Sequence, residues 1–254
     1  MSAARARGFK VGVHDIRLFG DQIAASRIEQ RFGAVSAQSL LRLAVRDLYP
    51  GRIALVSSLG ADSAVLLHMV SLIDPALPVV FIDTGKLFPE TLAYRDLLAR
   101  RLGLTKIETV SADPAEAARL DPGGALNASD PDACCDLRKV RPLADALAGY
   151  DAWITGRKRF QSATRAALAL FEADGARVKI NPLAAWDAAA VLAYLQLHDL
   201  PRHPLVARNY PSIGCEPCTT PVAPGEDARS GRWRGRGKTE CGIHIGRLNA
   251  GAGI

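Results

Sequence analysis

The stretch RIALVSSLGADSAVLLHMVSLI, residues 52–73, decides the fold prediction. It begins with an apolar run that is typical of a buried strand, turns at Ser and Gly, and continues as an apolar helix. Further strand-like segments at 78–83, 106–110, 152–156 and 178–183 alternate with helix-like segments. Strands that alternate with helices predict one α/β domain, with a mostly parallel sheet and helices on both faces.

Helix-end signals support this alternation. Two helices are expected within residues 21–49, the second with Ser36 as its N-cap. The helix after the strand at 78–83 begins at Pro89 and ends at Gly103, which is the usual asymmetry of Pro and Gly at helix ends.

Composition favours an enzyme of the cytoplasm. The chain has 254 residues, 48% of them hydrophobic, and a net charge of +6. No apolar run is long enough for a transmembrane helix, and the N-terminus lacks the apolar core of a secretory signal, so we expect neither a membrane partner nor export. The basic excess includes no Lys/Arg run of the kind that binds nucleic acid, so no nucleic-acid partner is expected.

The loop SSLGADSA, residues 57–64, is a candidate anion site. It joins a strand to a helix N-terminus, where free backbone N–H groups and the helix dipole favour an anion. It is neither a Walker A loop nor a GxGxxG loop. Its candidate binding residues are Ser57, Ser58, Gly60, Asp62 and Ser63.

The five cysteines divide into two pairs and one single residue. Cys134 and Cys135 are adjacent, Cys215 and Cys218 form a C-x2-C turn, and Cys241 stands alone. A reducing compartment favours metal binding over disulfides for such pairs. Four thiolates would suit either zinc or an iron–sulfur cluster, and their spacing does not choose between the two.

Several stretches together resemble a known family. These are CCDLRKVRPL, WITGRKRFQSATRA, VKINPLAAW, NYPSIGCEPCTTPV, RSGRWRG and KTECGIH. In this order, over residues 50–244, they resemble the assimilatory adenylylsulfate (APS) reductases of the APS/PAPS reductase family. The loop at 57–64 resembles the PP-loop of the ATP pyrophosphatases, whose fold is adenine nucleotide alpha-hydrolase-like. FIDTGKLFPET at 81–91 resembles the strand end that places Asp83 and Thr84 at the nucleotide.

The resemblance implies a reaction and a cofactor. The chain would reduce adenosine 5′-phosphosulfate to sulfite and AMP, with Cys241 as nucleophile and an S-sulfocysteine intermediate. Cys134, Cys135, Cys215 and Cys218 would ligate a [4Fe-4S] cluster. Thioredoxin or glutaredoxin would be the electron donor, since no thioredoxin-like domain is visible. Residues 1–220 would form the nucleotide- and cluster-binding domain, and residues 221–254 a mobile tail that carries Cys241.

Basic residues complete the expected site. The resemblance places Lys139 beside both cluster and substrate anion, and Arg165, Arg229 and Arg232 on the substrate anion. His244 is expected to contact the substrate or assist the thiolate. Arg157 and Lys158 are weaker candidates, and no physical role is assigned to Glu240.

Three alternatives to a strict APS reductase remain open. They are a reductase that prefers PAPS or accepts both nucleotides, a PP-loop enzyme that thiolates tRNA, and a redox sensor without enzymatic activity. The oligomeric state is undecided, with a homo-oligomer among the options.

Overall fold

The computed structural model describes Ala25, Glu29, Gln30 and residues 35–244. The first of the two helices expected within residues 21–49 therefore falls largely outside the described residues, as do tail residues 245–254. The second helix is present, as α1 (Ala37–Leu43) followed by a π-helical turn, Ala44–Leu48. The Ser36 hydroxyl accepts a hydrogen bond from the Ser39 N–H at 3.2 Å, which confirms the predicted N-cap.

A six-stranded sheet forms the centre of the fold. Its order is β3-β2-β1-β4-β6-β5, and all neighbours are parallel except β5 and β6. The strands are β1 (Ile53–Ser57), β2 (Val79–Ile82), β3 (Ile107–Val110), β4 (Ala152–Ile154), β5 (Phe171–Asp174) and β6 (Arg177–Ile180). The predicted mostly parallel α/β sheet is confirmed.

Helices follow most of the strands. The described helices after α1 are α2 (Ser63–Ser71), α3 (Pro89–Leu102), α4 (Pro114–Leu120), α5 (Leu126–Ser129), α6 (Pro131–Cys135), α7 (Arg141–Ala146) and α8 (Ala188–Leu197). A π-helical turn, Asp136–Val140, joins α6 to α7. Pro89 begins α3, and Gly103 ends it with a left-handed φ of 63°, as predicted.

Successive side chains of a strand point to opposite faces of the sheet, and a separate hydrophobic core lies on each face. Ile53 and Leu55 of β1 pack in the larger core, with α2. Ala54 and Val56 of the same strand pack on the other face with Trp153 and with residues of α7. Both faces of β1 are therefore buried, which explains why this strand reads as a continuous apolar run.

The sheet order places a crevice between β1 and β4. The chain moves from β1 through β2 to β3 on one side. On the other side it runs from β4 to the edge strand β5 and returns as β6, which lies between them. Strand order thus reverses at β1 and β4, and the carboxyl ends of such strands are the usual ligand site of open α/β sheets. In the described residues, no helix combines the length and apolarity needed to cross a membrane.

The edge strand β5 is absent from the sequence-based prediction. It pairs antiparallel with β6 through a tight turn at Gly175, whose φ is 62°. FEAD alone lacks strand character, because only Phe171 and Asp174 of the four residues are buried. The glycine at the first position of the two-residue loop, residues 175 and 176, is the signal that would have predicted it.

Candidate active site

A cavity of about 240 Å³ lies at the carboxyl ends of β1 and β4. The loop after β1 forms one wall, where Leu59 takes a left-handed φ of 50° and its N–H donates to the Ser57 hydroxyl. Alternating backbone conformations of this kind make concave anion sites. All five residues that the sequence predicts in this loop line the cavity: Ser57, Ser58, Gly60, Asp62 and Ser63.

Lys158 supports this loop from the end of β4. Its side chain is 2% exposed, and Nζ donates to the Asp62 carboxylate and the Gly156 carbonyl, each at 3.1 Å. Burial lowers the pKa of Lys158, and the Asp62 carboxylate opposes that shift. This ion pair spans the crevice, so Lys158 has a larger structural role than the sequence suggested.

The C-terminal segment closes the cavity from the opposite side. The Trp233 N–H donates to the Cys218 carbonyl at 3.0 Å, and Thr219 pairs with Arg232 in an isolated antiparallel bridge. Trp233 is 3% exposed. The described part of the predicted tail, residues 221–244, is thus packed against the domain, and it brings Cys241 into the cavity wall.

Two glycines permit this close packing. A Cβ on Gly231 would lie 2.1 Å from the Thr220 carbonyl oxygen. A Cβ on Gly214 would lie 2.2 Å from Nη2 of Arg232, whose guanidinium also stacks on Trp233 at 4.6 Å. Arg232 therefore rests against the backbone that precedes the C-x2-C turn, where only glycine leaves room.

The Glu240 carboxylate pairs with two of the arginines that were predicted to bind the substrate anion. Arg165 donates to its carboxylate through Nε at 2.7 Å and Nη2 at 2.9 Å, and Arg229 lies 3.3 Å away. The three side chains are 10–14% exposed. Burial would raise the pKa of Glu240, but the two guanidinium groups outweigh it and lower the pKa. Glu240 is therefore an ionised, half-buried partner in the site.

His244 stacks on Trp153 inside the same cavity. The rings are almost parallel, with centroids 5.9 Å apart, and Trp153 Nε1 donates to Asp174 at 2.8 Å. Burial lowers the pKa of His244, and surrounding cations, Arg157 foremost, lower it further. Its Nδ1 is buried and has no hydrogen-bond partner among the described residues. Burial and the nearby cations thus both favour the neutral imidazole of His244, and its buried Nδ1 has an unused hydrogen-bonding capacity.

The four paired cysteines converge on a second, smaller void. This void of about 10 Å³ is lined by Cys134, Cys135, Cys215 and Cys218, with Lys86, Arg138 and Lys139 around them. Two of the cysteines come from α6. The other two are Cys215, just before the Glu216–Cys218 turn, and Cys218 at its end. Among the described residues, no three His, Cys, Asp or Glu side chains are grouped so that they could hold a single metal ion.

The surroundings differ between the two cysteine pairs. Burial raises the pKa of Cys134, and it raises the pKa of Cys135 to about 11 against the opposing charge of Lys139. Burial also disfavours the Cys215 thiolate, but Lys139 and the Thr84 hydroxyl, 3.2 Å from its Sγ, outweigh burial and lower the pKa. Lys139 and Thr84 line both the void and the larger cavity.

Of the site residues predicted outside the loop and the cysteine pairs, all but one line the cavity. Beyond the loop, the cavity is lined by Thr84, Lys139, Arg165, Arg229, Arg232, Cys241 and His244. Asp83 is the exception, because its carboxylate accepts the Gly85 N–H at 2.9 Å and it does not line the cavity. Glu240 and Trp233 line it without having been predicted there, and only their position in the RSGRWRG and KTECGIH motifs pointed to them.

Known proteins with related sequences have similar architecture. The family model described as "Phosphoadenosine phosphosulfate reductase domain" matches residues 52–221. This chain belongs to that family. The structure of the phosphoadenylyl-sulfate (PAPS) reductase of Candida auris matches with a TM-score of 0.66 and 29% identity, over 79% of this chain and 98% of that one.

Curated relatives of this family carry two names. A protein of Mesorhizobium japonicum named adenosine 5′-phosphosulfate reductase is 55% identical over 88% of each chain. A protein of Gloeobacter violaceus named phosphoadenosine 5′-phosphosulfate reductase is 42% identical, over 88% of this chain and 95% of its own. The family resemblance and the fold class predicted from the sequence are confirmed.

Proposed function

We propose that this protein reduces adenosine 5′-phosphosulfate to sulfite and AMP. The Cys241 thiolate attacks the sulfur of the substrate, the bond from sulfur to the phosphate oxygen breaks, and AMP leaves with both bonding electrons. An S-sulfocysteine remains. An external dithiol, such as thioredoxin or glutaredoxin, then attacks Sγ of Cys241, releases sulfite and forms a mixed disulfide that its second thiol resolves.

The position of Cys241 is the observation that carries this proposal. The thiol lines the same cavity as the anion-binding loop after β1, although 178 residues or more separate them in the chain. A nucleophile and a phosphate site in one cavity are what attack on a nucleotide-linked sulfate requires. Lys139 and Arg232 would stabilise charge on the departing phosphate, and neutral His244 would hydrogen-bond the substrate.

The residues around the second void fit a [4Fe-4S] cluster. Four cysteine thiols are the donor set that such clusters take, and three cations surround them to offset thiolate charge. Cys134, Cys135, Cys215 and Cys218 would hold the cluster. When bound, it would supply structural order and an electrostatic field, without itself exchanging electrons in the reaction.

The charge balance of the cavity favours APS over PAPS. Arg157, Lys158, Arg165 and Arg229 each pair with a carboxylate. Among the described lining residues, only Lys139 and Arg232 are cations without a carboxylate partner. Two such cations match the phosphate and sulfate charges of APS, whereas a 3′-phosphate adds about −1.5 to −2 more. A PAPS-preferring or dual enzyme remains the second candidate, because the relative from Gloeobacter violaceus is named phosphoadenosine 5′-phosphosulfate reductase.

Movement of the segment that carries Cys241 is part of this proposal. Sulfur transfer requires the thiol inside the cavity, and release of sulfite requires it to be reached by a protein dithiol. The boundary at residues 220 and 221, the cytoplasmic location and the oligomeric state stay predictions.

The decisive experiment is the intact mass of anaerobically purified protein incubated with APS and no thiol. We expect a gain of one SO₃ unit that thioredoxin removes and that Cys241→Ser lacks. An adduct with PAPS and none with APS would establish the second candidate instead. If neither nucleotide gave an adduct, the proposed reaction would be wrong.

A further inference from the structure

The carboxylate next to the nucleophile is bound by arginines of the cavity. Glu240 immediately precedes Cys241, and it receives two hydrogen bonds from Arg165 in a fork. Arg229 binds the same stretch twice, since its Nη2 lies 3.3 Å from the carboxylate and donates to the Thr239 carbonyl at 2.8 Å. These contacts attach the segment to the cavity one residue before the reactive thiol.

Most other contacts of this segment lie farther from the thiol or nearer the surface. Lys238, whose side chain is 8% exposed, pairs with Asp132, which is 80% exposed, and Arg236 donates to the Asn127 carbonyl at the surface. A buried charge pair is screened less by water and salt than such surface pairs. The Glu240 fork therefore differs from these contacts in that both of its charged partners are shielded from solvent.

We infer that Glu240 is a positioning residue, whose carboxylate docks the Cys241 segment into the cavity for sulfur transfer. This inference rests on the proposed function, although the docking itself does not. Gly242, which follows Cys241, has a φ of 91° and lies against Val140, so the chain turns sharply just after the thiol. The fork on one side and the turn on the other define where Sγ can lie.

Docking of the thiol and competition with substrate predict different effects of removing Glu240. If Glu240 merely filled the arginines until an anion displaced it, its removal would tighten substrate binding. If it docks the thiol, its removal slows transfer and leaves binding almost unchanged.

The test compares Glu240→Gln with Glu226→Gln in the full-length, cluster-loaded protein. Glu226 is a matched control, because it also forms a fork, to Arg234 at 2.8 and 2.9 Å, but on the exposed part of the same segment. Two readouts are needed. One is trypsin cleavage after Lys238 without nucleotide, and the other is the single-turnover rate of Cys241 sulfonation by saturating APS.

We expect Glu240→Gln to speed cleavage after Lys238 by roughly tenfold to a hundredfold, because hydrogen bonds to the charged group are lost. Sulfonation should slow by a similar factor, with the APS concentration at half-saturation changed less than about threefold. Glu226→Gln should match the parent. Glu240→Asp, which keeps the charge on a shorter side chain, should recover part of both effects.

Three results would overturn the inference. They are cleavage of Glu240→Gln at the parent rate, tighter APS binding with unchanged sulfonation, or equally faster cleavage at Arg177 in β6, which would report global unfolding. If cleavage responds as expected but the parent forms no adduct, docking by Glu240 stands and the proposed reaction fails.

Discussion

Gly214→Ala should displace Arg232 without disturbing the backbone. The new Cβ would lie 2.2 Å from Nη2, 2.5 Å from Cζ and 3.0 Å from Nη1 of Arg232. Ordinary contact requires about 3.5 Å, so the guanidinium must move by more than about 1 Å. Gly214 is not among the glycines with a left-handed φ, so alanine fits its backbone.

The expected cost falls on the reaction and not on stability. Arg232 is one of the two cavity cations without a carboxylate partner in the described chain, and we propose that it binds the substrate anion. A displacement of about 1 Å in a binding group can cost up to about a hundredfold in rate. We expect kcat/KM for APS to fall about tenfold to a hundredfold, which is about 1.4–2.7 kcal/mol in the activation free energy.

Sulfite release with a saturating dithiol donor measures this effect, and thermal unfolding checks the fold. Gly237→Ala is the control, because a Cβ there meets nothing within 4 Å. In an Arg232→Ala background, Gly214→Ala should have no further effect, since the displaced group is already gone. The reasoning would be refuted if Gly214→Ala kept the kcat/KM of the parent protein. It would also be refuted if Gly214→Ala lowered kcat/KM in the Arg232→Ala background as much as it does in the parent.

Three further predictions concern the cluster, the tail packing and pH. Cys215→Ser should lose most of the roughly four irons per chain that a cluster contributes, measured with acid-labile sulfide, whereas Cys241→Ser should keep them. Gly231→Ala should lower the free energy of unfolding by about 1–3 kcal/mol, because its Cβ meets the Thr220 carbonyl oxygen. The control Gly237→Ala should leave it unchanged, because its Cβ meets nothing within 4 Å. Equal melting temperatures for the two variants would contradict the packing of Gly231. Burial lowers the pKa of His203 from 6.5 to about 4, so the unfolded chain takes up this proton first as pH falls. Neutral, buried His203 should therefore contribute about 3 kcal/mol to the free energy of unfolding above pH 6.5, and this contribution should be lost between pH 6.5 and 4. In His203→Gln, the free energy of unfolding should depend less on pH over this range.

The sequence by itself determined the sheet and most of the candidate site. Strand-like segments that alternate with helical segments predicted five of the six strands, and the signal is clearest in β1 and β4, which are buried throughout. Local motifs named the loop after β1, the four paired cysteines and Cys241, since each is a short stretch whose chemistry does not depend on distant residues. The edge strand β5 was not predicted, because only two of its four residues are buried and its sequence therefore has no apolar run.

Only the tertiary structure decided which of these residues share a site. It separated Asp83 from the cavity, and it showed that Arg165 and Arg229, expected to meet a substrate anion, bind Glu240 in the described chain. Ion pairs between residues 75 apart, as for Arg165 and Glu240, leave no local pattern. A buried charge is stabilised by whichever partner the fold brings within about 3 Å, and sequence order does not specify that partner.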